Sequence, residues 1–116
     1  MKKIIIILAL LVIAGIAFAH PPKDVVLSYD PATKMMTAIV THDITASKVS
    51  DATKHFVKEL SVKINGKDVS VVNYKYQQFG EGESIVFKLD LKAGDKVSVT
   101  AKCSLAGEKT SEFVVK

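Results

Sequence analysis

The sequence lacks arginine altogether, and its 16 basic residues are lysines scattered along the chain. A nucleic-acid-binding surface needs a concentrated basic face, which this distribution does not supply. The formal net charge of +4 falls to about +2 without Lys2 and Lys3 at the N-terminus. The composition therefore argues against a nucleic-acid partner.

A second cysteine is also missing, so Cys103 has no partner for a disulfide within the chain. In an oxidising compartment, a lone thiol is a buried core residue, an intermolecular partner or a metal ligand. Internal repeats, low-complexity runs and linkers are absent too. These absences together predict a single domain.

The N-terminus has the three parts of a secretory signal peptide in their usual order. Met1-Lys2-Lys3 is positively charged, residues 4–19 are almost wholly apolar, and residues 17–19 (AFA) form a small-x-small cleavage site. The apolar run is shorter than the roughly 20 residues of a membrane-spanning helix. We therefore predict a signal peptide over residues 1–19, cleavage before His20, and export to the periplasm or cell exterior without a membrane anchor. An uncleaved N-terminal anchor is the alternative.

Residues 20–116 alternate apolar and polar side chains in short runs, which is the pattern of half-buried β-strands. About seven short strands, with turn signals every 8–12 residues or so and no convincing long helix, predict an all-β, immunoglobulin-like β-sandwich. A small β-barrel is the alternative. Extended segments are predicted at residues 25–29, 35–41, 60–64, 69–71, 73–79, 85–89, 97–103 and 113–115.

The strongest local signal is the dipeptide Asn65-Gly66, which lies between two alternating apolar runs. Both residue types tolerate the positive φ angles that a type I′ turn requires. The pattern therefore predicts a tight β-hairpin. Residues 30–33 (DPAT) predict a second turn, because proline presets φ at the second position of a type I turn.

The chain contains three histidines, His20, His42 and His55, beside Cys103. His42 follows a predicted strand and His55 precedes one, so both bound the polar loop of residues 43–54. Cys103 ends another strand on its core-facing side. Strand ends at one pole of a sandwich converge, so these residues are candidate ligands for iron, copper or zinc. Taken singly, each histidine is more often a solvated loop residue than a ligand, and the cysteine is as often a small buried hydrophobe.

Several segments resemble the iron domain of superoxide reductases, the family of desulfoferrodoxin and neelaredoxin. Residues 55–60 (HFVKEL) resemble its His-aromatic-aliphatic strand start, and His42 follows a strand as the preceding ligand of that family does. Residues 91–97 (LKAGDKV) lead towards Cys103 as its Gly-Asp turn and strand do, and residues 20–22 (HPP) match its early His-x-Pro. The resemblance covers nearly all of residues 20–116.

The resemblance implies a mononuclear, non-haem ferrous iron that reduces superoxide to hydrogen peroxide, with electrons from a small donor protein. His20, His42 and His55 would be equatorial ligands, and Cys103 the axial thiolate. Ala106 stands where the family has its fourth ligand histidine, so one ligand is missing. The family also has a lysine that assists catalysis just before its first histidine, but here Phe18 and Ala19 precede His20 and would be removed with the signal peptide, so no catalytic side chain is assigned.

Two other functions remain open from the residues alone. One is an exported carrier of copper or another transition metal, because a free His20 would offer both its α-amine and its imidazole. Met35 or Met36 would add a soft thioether. The other is a β-sandwich whose degenerate site binds no metal and which serves as an interaction module. Metal content separates the three.

Overall fold

The computed structural model describes residues 20–45, 47 and 49–116, and within them it is an all-β protein of seven strands. The predicted signal peptide, residues 1–19, lies outside the described residues. The strands are β1 (Asp24–Asp30), β2 (Met35–Thr41), β3 (Val57–Ile64), β4 (Lys67–Asn73), β5 (Gly82–Lys88), β6 (Lys96–Cys103) and β7 (Glu108–Val114).

The strands form two antiparallel sheets, one of three strands in the order β1-β2-β5 and one of four in the order β4-β3-β6-β7. Inward-facing side chains of both sheets form one hydrophobic core between them. The three-stranded sheet contributes Val25, Met36 and Val40, and the four-stranded sheet contributes Val57, Leu60, Val62, Val97, Val99 and Ala101. Alternation along each strand places these residues on one face because successive side chains point to opposite sides.

The predicted hairpin is confirmed between β3 and β4. Asn65 has φ 52° and Gly66 has φ 84°, as a type I′ turn requires. The turn is also tied to the neighbouring strand, because Asn65 Oδ1 accepts the N–H of Lys96 at 3.0 Å. The predicted turn before β2 is present too, and Asp30 Oδ1 accepts the N–H of Ala32 at 3.0 Å.

Strands β3 and β5 each begin three residues earlier than predicted, and two other boundaries differ more. Residues 73–79 were expected to continue as a strand, but β4 ends at Asn73 and residues 75–76 and 78 are bends. The chain leaves the ladder there because the buried side chain of Gln77 turns inward to polar partners. Strand β7 begins at Glu108 instead of Phe113. Its first three residues are exposed at the sheet edge, so their polar sequence carries no alternating signal.

Within the described part of the chain, no helix is long and apolar enough to cross a membrane.

Candidate metal centre

His42 and His55 come from different sheets and meet at one end of the core. His42 directly follows β2, and its N–H donates to the carbonyl of Glu81 at 2.8 Å. His55 lies two residues before β3, and its N–H donates to the carbonyl of Asp51 at 2.8 Å. Both side chains are 0% exposed. The prediction that both histidines lie at strand ends is confirmed.

Local turns shape the loop between the two histidines. Asp43 Oδ1 accepts the N–H of Thr45 at 2.9 Å and its hydroxyl at 2.6 Å. Asp51 Oδ1 binds Thr53 in the same way, at 2.9 and 2.7 Å. These bonds to Thr45 and Thr53 hold the pKa of each exposed aspartate below its ordinary value. These bonds form local turns at the two described ends of the loop.

The N-terminal segment brings His20 to the same place. The N–H of Lys23 donates to the carbonyl of Thr41 at 2.7 Å, which attaches the segment beside the end of β2. Pro21 packs against Gly107, where an added Cβ would lie 2.7 Å from the proline Cβ. Gly107 also has φ 77°, so glycine suits this position in conformation as well as in space. The Lys23–Thr41 hydrogen bond and the Pro21–Gly107 contact thus fix the segment that carries His20.

The three imidazole rings form a nearly equilateral triangle. Ring centroids are 4.8 Å apart for His20 and His42, 5.0 Å for His20 and His55, and 4.8 Å for His42 and His55. The rings are tilted or edge-on to one another, with interplanar angles of 53°, 67° and 86°. One ligand nitrogen from each ring lies within 4.8 Å of the others. Three nitrogens at such separations can converge on a single ion with bonds of about 2.0–2.1 Å after a small contraction.

Hydrogen bonds fix which nitrogen of His42 carries its hydrogen. Nδ1 lies 2.8 Å from Gln77 Oε1, an acceptor, so Nδ1–H is the donor. Burial lowers the pKa of His42 by disfavouring the imidazolium, and the positive potential of His55 and His20 acts in the same direction. Contacts with the oxygens of Gln77 and His20 oppose this effect only in part. The neutral ring therefore keeps a lone pair on Nε2, which lies 3.2 Å from the His20 carbonyl oxygen.

His55 is oriented in the same manner. Its Nδ1 lies 2.8 Å from the carbonyl oxygen of Val49, so Nδ1–H donates there. Its Nε2 is buried and has no hydrogen-bond partner. A buried polar atom without a partner is costly unless a ligand satisfies it. His20 follows the pattern more loosely, with Nδ1 3.2 Å from the carbonyl oxygen of Pro21.

All three histidines thus turn Nδ1 towards an oxygen atom and leave Nε2 available. A histidine that binds a metal almost always donates its other N–H to a carboxylate, a carbonyl oxygen or water, which sets the tautomer and ring angle. The triangle reproduces that arrangement with a side-chain amide and two backbone carbonyls. The three-histidine part of the predicted ligand set is therefore brought together by the fold.

Cys103 is buried on the inner face of the four-stranded sheet. It is 4% exposed, and its Sγ accepts the N–H of Leu105 at 3.4 Å. It pairs across the ladder with Val57, which follows His55 by two residues. Among the described residues, the close group of ligand atoms contains the three histidines and not Cys103. The cysteine ligand therefore stays a prediction.

Backbone contacts tie the segment after Cys103 to His55. Ser104 Oγ accepts the N–H of Phe56 at 3.0 Å and donates to the carbonyl of Lys54 at 3.0 Å. Ala106 follows in a surface cleft of about 270 Å³ that Cys103 and Gly107 also line. Position 106, where the resemblance implies a fourth histidine, therefore lines the same solvent-open cleft as Cys103.

Gln77 also belongs to the site, although the sequence did not predict it. This residue is 3% exposed, and its amide hydrogen-bonds to the ring and the carbonyl of His42 and to the N–H of Val57. An uncharged amide has no ligand or acid–base signature, and its environment depends on contacts distant in sequence. Only the folded chain identifies it.

No protein-family model matches this chain, and no curated protein sequence matches it.

Proposed function

We propose that this chain is an exported, superoxide-reductase-like iron protein built on an immunoglobulin-like β-sandwich. In this proposal, His20, His42 and His55 hold one iron ion through Nε2, and Cys103 supplies a thiolate. The observation that carries the proposal is the triangle of imidazoles with centroids 4.8–5.0 Å apart and each Nδ1 facing an oxygen. Packing alone gives no reason to bury the unpartnered Nε2 of His55.

The donor set fits iron by its chemistry. Imidazole nitrogens and a thiolate are borderline-to-soft ligands, which favour iron, copper or zinc over magnesium or calcium. Iron held by these residues would supply one electron, with which superoxide and two protons would give hydrogen peroxide. A small electron-donor protein would return the iron to the ferrous state.

The protein's own groups prepare the site before any ion arrives. Gln77 and the Val49 carbonyl hold two rings by their Nδ1–H groups, and burial keeps His42 neutral and ready to bind. His20 is only partly buried, so the site faces solvent on the N-terminal side. Superoxide and water would approach from this side, and water would deliver the protons.

A second candidate is an exported carrier of copper or another transition metal. It is favoured by one observation, that the close group of ligand atoms consists of three nitrogens without the sulfur. Three imidazoles suit copper or zinc, with a water or another donor in the remaining position. Cleavage before His20 would add an α-amine. In this case the ion is cargo, and no electron donor is required.

Metal analysis of the protein purified from its own host tests both candidates. About one iron per chain supports the proposal, about one copper per chain supports the carrier, and no bound metal contradicts both. Oxidised iron protein should also show a thiolate-to-iron charge-transfer band in the red and should consume superoxide catalytically.

Variants connect the metal to the triangle. His42→Ala and His55→Ala should each lose most of the bound metal. Lys54→Ala is the matched control, since its exposed side chain neighbours His55 and is outside the triangle. Full metal retention by both histidine variants would place the ion elsewhere.

A further inference from the structure

The side chain of Gln77 connects three parts of the chain: its own segment with Phe79, His42 after β2, and Val57 at the start of β3. Its Oε1 accepts Nδ1–H of His42 at 2.8 Å and the N–H of Val57 at 3.2 Å. Its Nε2 donates to the carbonyls of His42 at 2.8 Å and Phe79 at 2.7 Å. Both lone pairs of the oxygen and both hydrogens of the nitrogen are therefore used.

This network permits only one orientation of the amide. A flipped amide would place two N–H donors against the N–H of Val57, and its oxygen against the carbonyl oxygens of His42 and Phe79. Both contacts would be repulsive, and the group is 3% exposed, so water cannot replace the lost partners. Because Oε1 is fixed beside His42, the hydrogen of the neutral ring must be on Nδ1.

The alternative tautomer has its own acceptor. The carbonyl oxygen of His20 lies 3.2 Å from Nε2 of His42 and would accept a hydrogen from that nitrogen. With its hydrogen on Nε2, His42 would have no lone pair on that nitrogen to bind an ion in the triangle. The choice between Gln77 and the His20 carbonyl as acceptor therefore decides whether His42 can bind a metal ion.

We propose that Gln77 is the positioning residue of the metal centre, which keeps Nε2 of His42 free by holding the hydrogen on Nδ1. The proposal rests on the function proposed above, because it assigns Gln77 a role in that same site. Gln77 also binds the first residue of β3, Val57, which is the cross-strand partner of Cys103. It thereby connects the end of β2 in one sheet to the start of β3 in the other.

The tautomer of His42 can be measured directly in metal-free protein. Long-range ¹H–¹⁵N correlation spectra at about pH 8.5, well above the ordinary pKa of histidine, distinguish Nδ1–H from Nε2–H. Wild-type His42 should be in the Nδ1–H form. An Nε2–H form in the wild type overturns the proposal without any variant.

Gln77→Leu removes the acceptor and keeps the approximate volume. His42 should change to the Nε2–H form, whereas His55 should keep Nδ1–H because its acceptor is the Val49 carbonyl. Affinity for Fe²⁺ under anaerobic conditions, and for Cu²⁺, should fall about 10- to 100-fold, as for other outer partners of metal ligands. Gln78→Leu makes the same change at an exposed neighbour and should alter affinity less than about twofold.

Gln77→Glu separates positioning from general destabilisation. In this variant one carboxylate oxygen accepts the Nδ1–H of His42 and the N–H of Val57, whereas the other loses the two donations that Nε2 of Gln77 makes to the carbonyls of His42 and Phe79. The tautomer and most of the metal affinity should therefore return, while the stability stays below that of the wild type. A folded Gln77→Leu protein that keeps Nδ1–H on His42, or that binds metal as tightly as wild type, overturns the proposal. If the tautomers behave as expected but the wild type binds neither ion, the proposed function fails while the assignment of Gln77 as the tautomer-setting residue stands.

Discussion

His42 and His55 meet edge-to-face with ring centroids 4.8 Å apart, although β2 and β3, which they adjoin, belong to different sheets. The pair therefore joins the two halves of the fold at one end of the core. Both rings are buried, and they keep their Nε2 atoms without a hydrogen-bond donor. These unpaired buried atoms lower the stability of the metal-free protein, as is common at sites that bind a ligand.

Gly107→Ala should weaken metal binding by displacing His20. The new Cβ would lie 2.7 Å from Pro21, so the segment that carries His20 must move. Gly94→Ala is a matched control, because Gly94 also has a positive φ, 90°, but an added Cβ there meets nothing within 4 Å. Both variants incur similar backbone strain, about 1–2 kcal/mol. Isothermal titration with metal should show a several-fold loss for Gly107→Ala alone, and equal affinities would show that His20 is not a ligand.

Cys103→Ser should remove the charge-transfer band of the oxidised iron protein and leave the fold intact. The band requires a sulfur–iron bond, and a serine hydroxyl can still accept the N–H of Leu105. Burying a hydroxyl in this place should cost about 1–3 kcal/mol of stability. Visible spectra of both iron-loaded proteins test this. A band of unchanged position and intensity in the variant would exclude Cys103 as the thiolate ligand.

The local features were predictable because neighbouring residues determine them. The alternation of Leu60, Val62 and Ile64 marks β3, and Asn65-Gly66 marks its turn. The three histidines were identified because their side chains bind metals wherever they occur. Their convergence, by contrast, was expected only from the ends of strands and from a family resemblance.

The remaining parts of the site depend on contacts between distant segments. Gln77 is 35 residues from His42, and the packing of Pro21 on Gly107 joins the first described residues to the last hairpin. The bulge between Val57 and Glu59 lets both Val57 and Leu60 face the core, which strict alternation does not allow. Such features follow from tertiary packing, so they are hard to predict from a single sequence.

Gly66→Val should destabilise the domain by about 1–2 kcal/mol, because a β-branched residue resists the left-handed conformation. Gly66 has φ 84°, and an added Cβ would meet nothing within 4 Å, so backbone conformation alone accounts for the cost. Gly66→Asn should be nearly neutral, since asparagine tolerates this region. Urea denaturation of the three proteins gives the comparison. Equal midpoints for Gly66→Val and the wild type would contradict the type I′ turn.

Glu83→Gln should raise stability at neutral pH. Glu83 is 2% exposed, its Oε1 has no partner, and burial raises its pKa above the ordinary value of 4.5. The folded state therefore holds the proton more tightly than the unfolded state, and the resulting stability is lost as pH rises through the folded pKa. Glutamine avoids this loss.

The expected gain is about 1 kcal/mol at pH 7 or above, and it should shrink as the pH falls towards about 4.5. Glu81→Gln, at an exposed carboxylate two residues away, is the control. Thermal melts of the three proteins between about pH 4 and 8 measure the difference. A pH-independent gain, or an equal one in Glu81→Gln, would contradict the role of burial.

Ala106→His should raise iron affinity by restoring the fourth imidazole that the family resemblance implies. Ala106 follows Cys103 by three residues and lines the same cleft of about 270 Å³, which has room for an imidazole. Ala106→Leu fills that cleft with a side chain of similar size that has no ligand nitrogen, so it separates coordination from packing. Anaerobic competition with a ferrous chelator should show tighter binding for Ala106→His, about tenfold or more, and wild-type affinity for Ala106→Leu. Equal affinities for both variants would mean that position 106 does not face the ion, and that the three-histidine triangle is complete without a fourth imidazole.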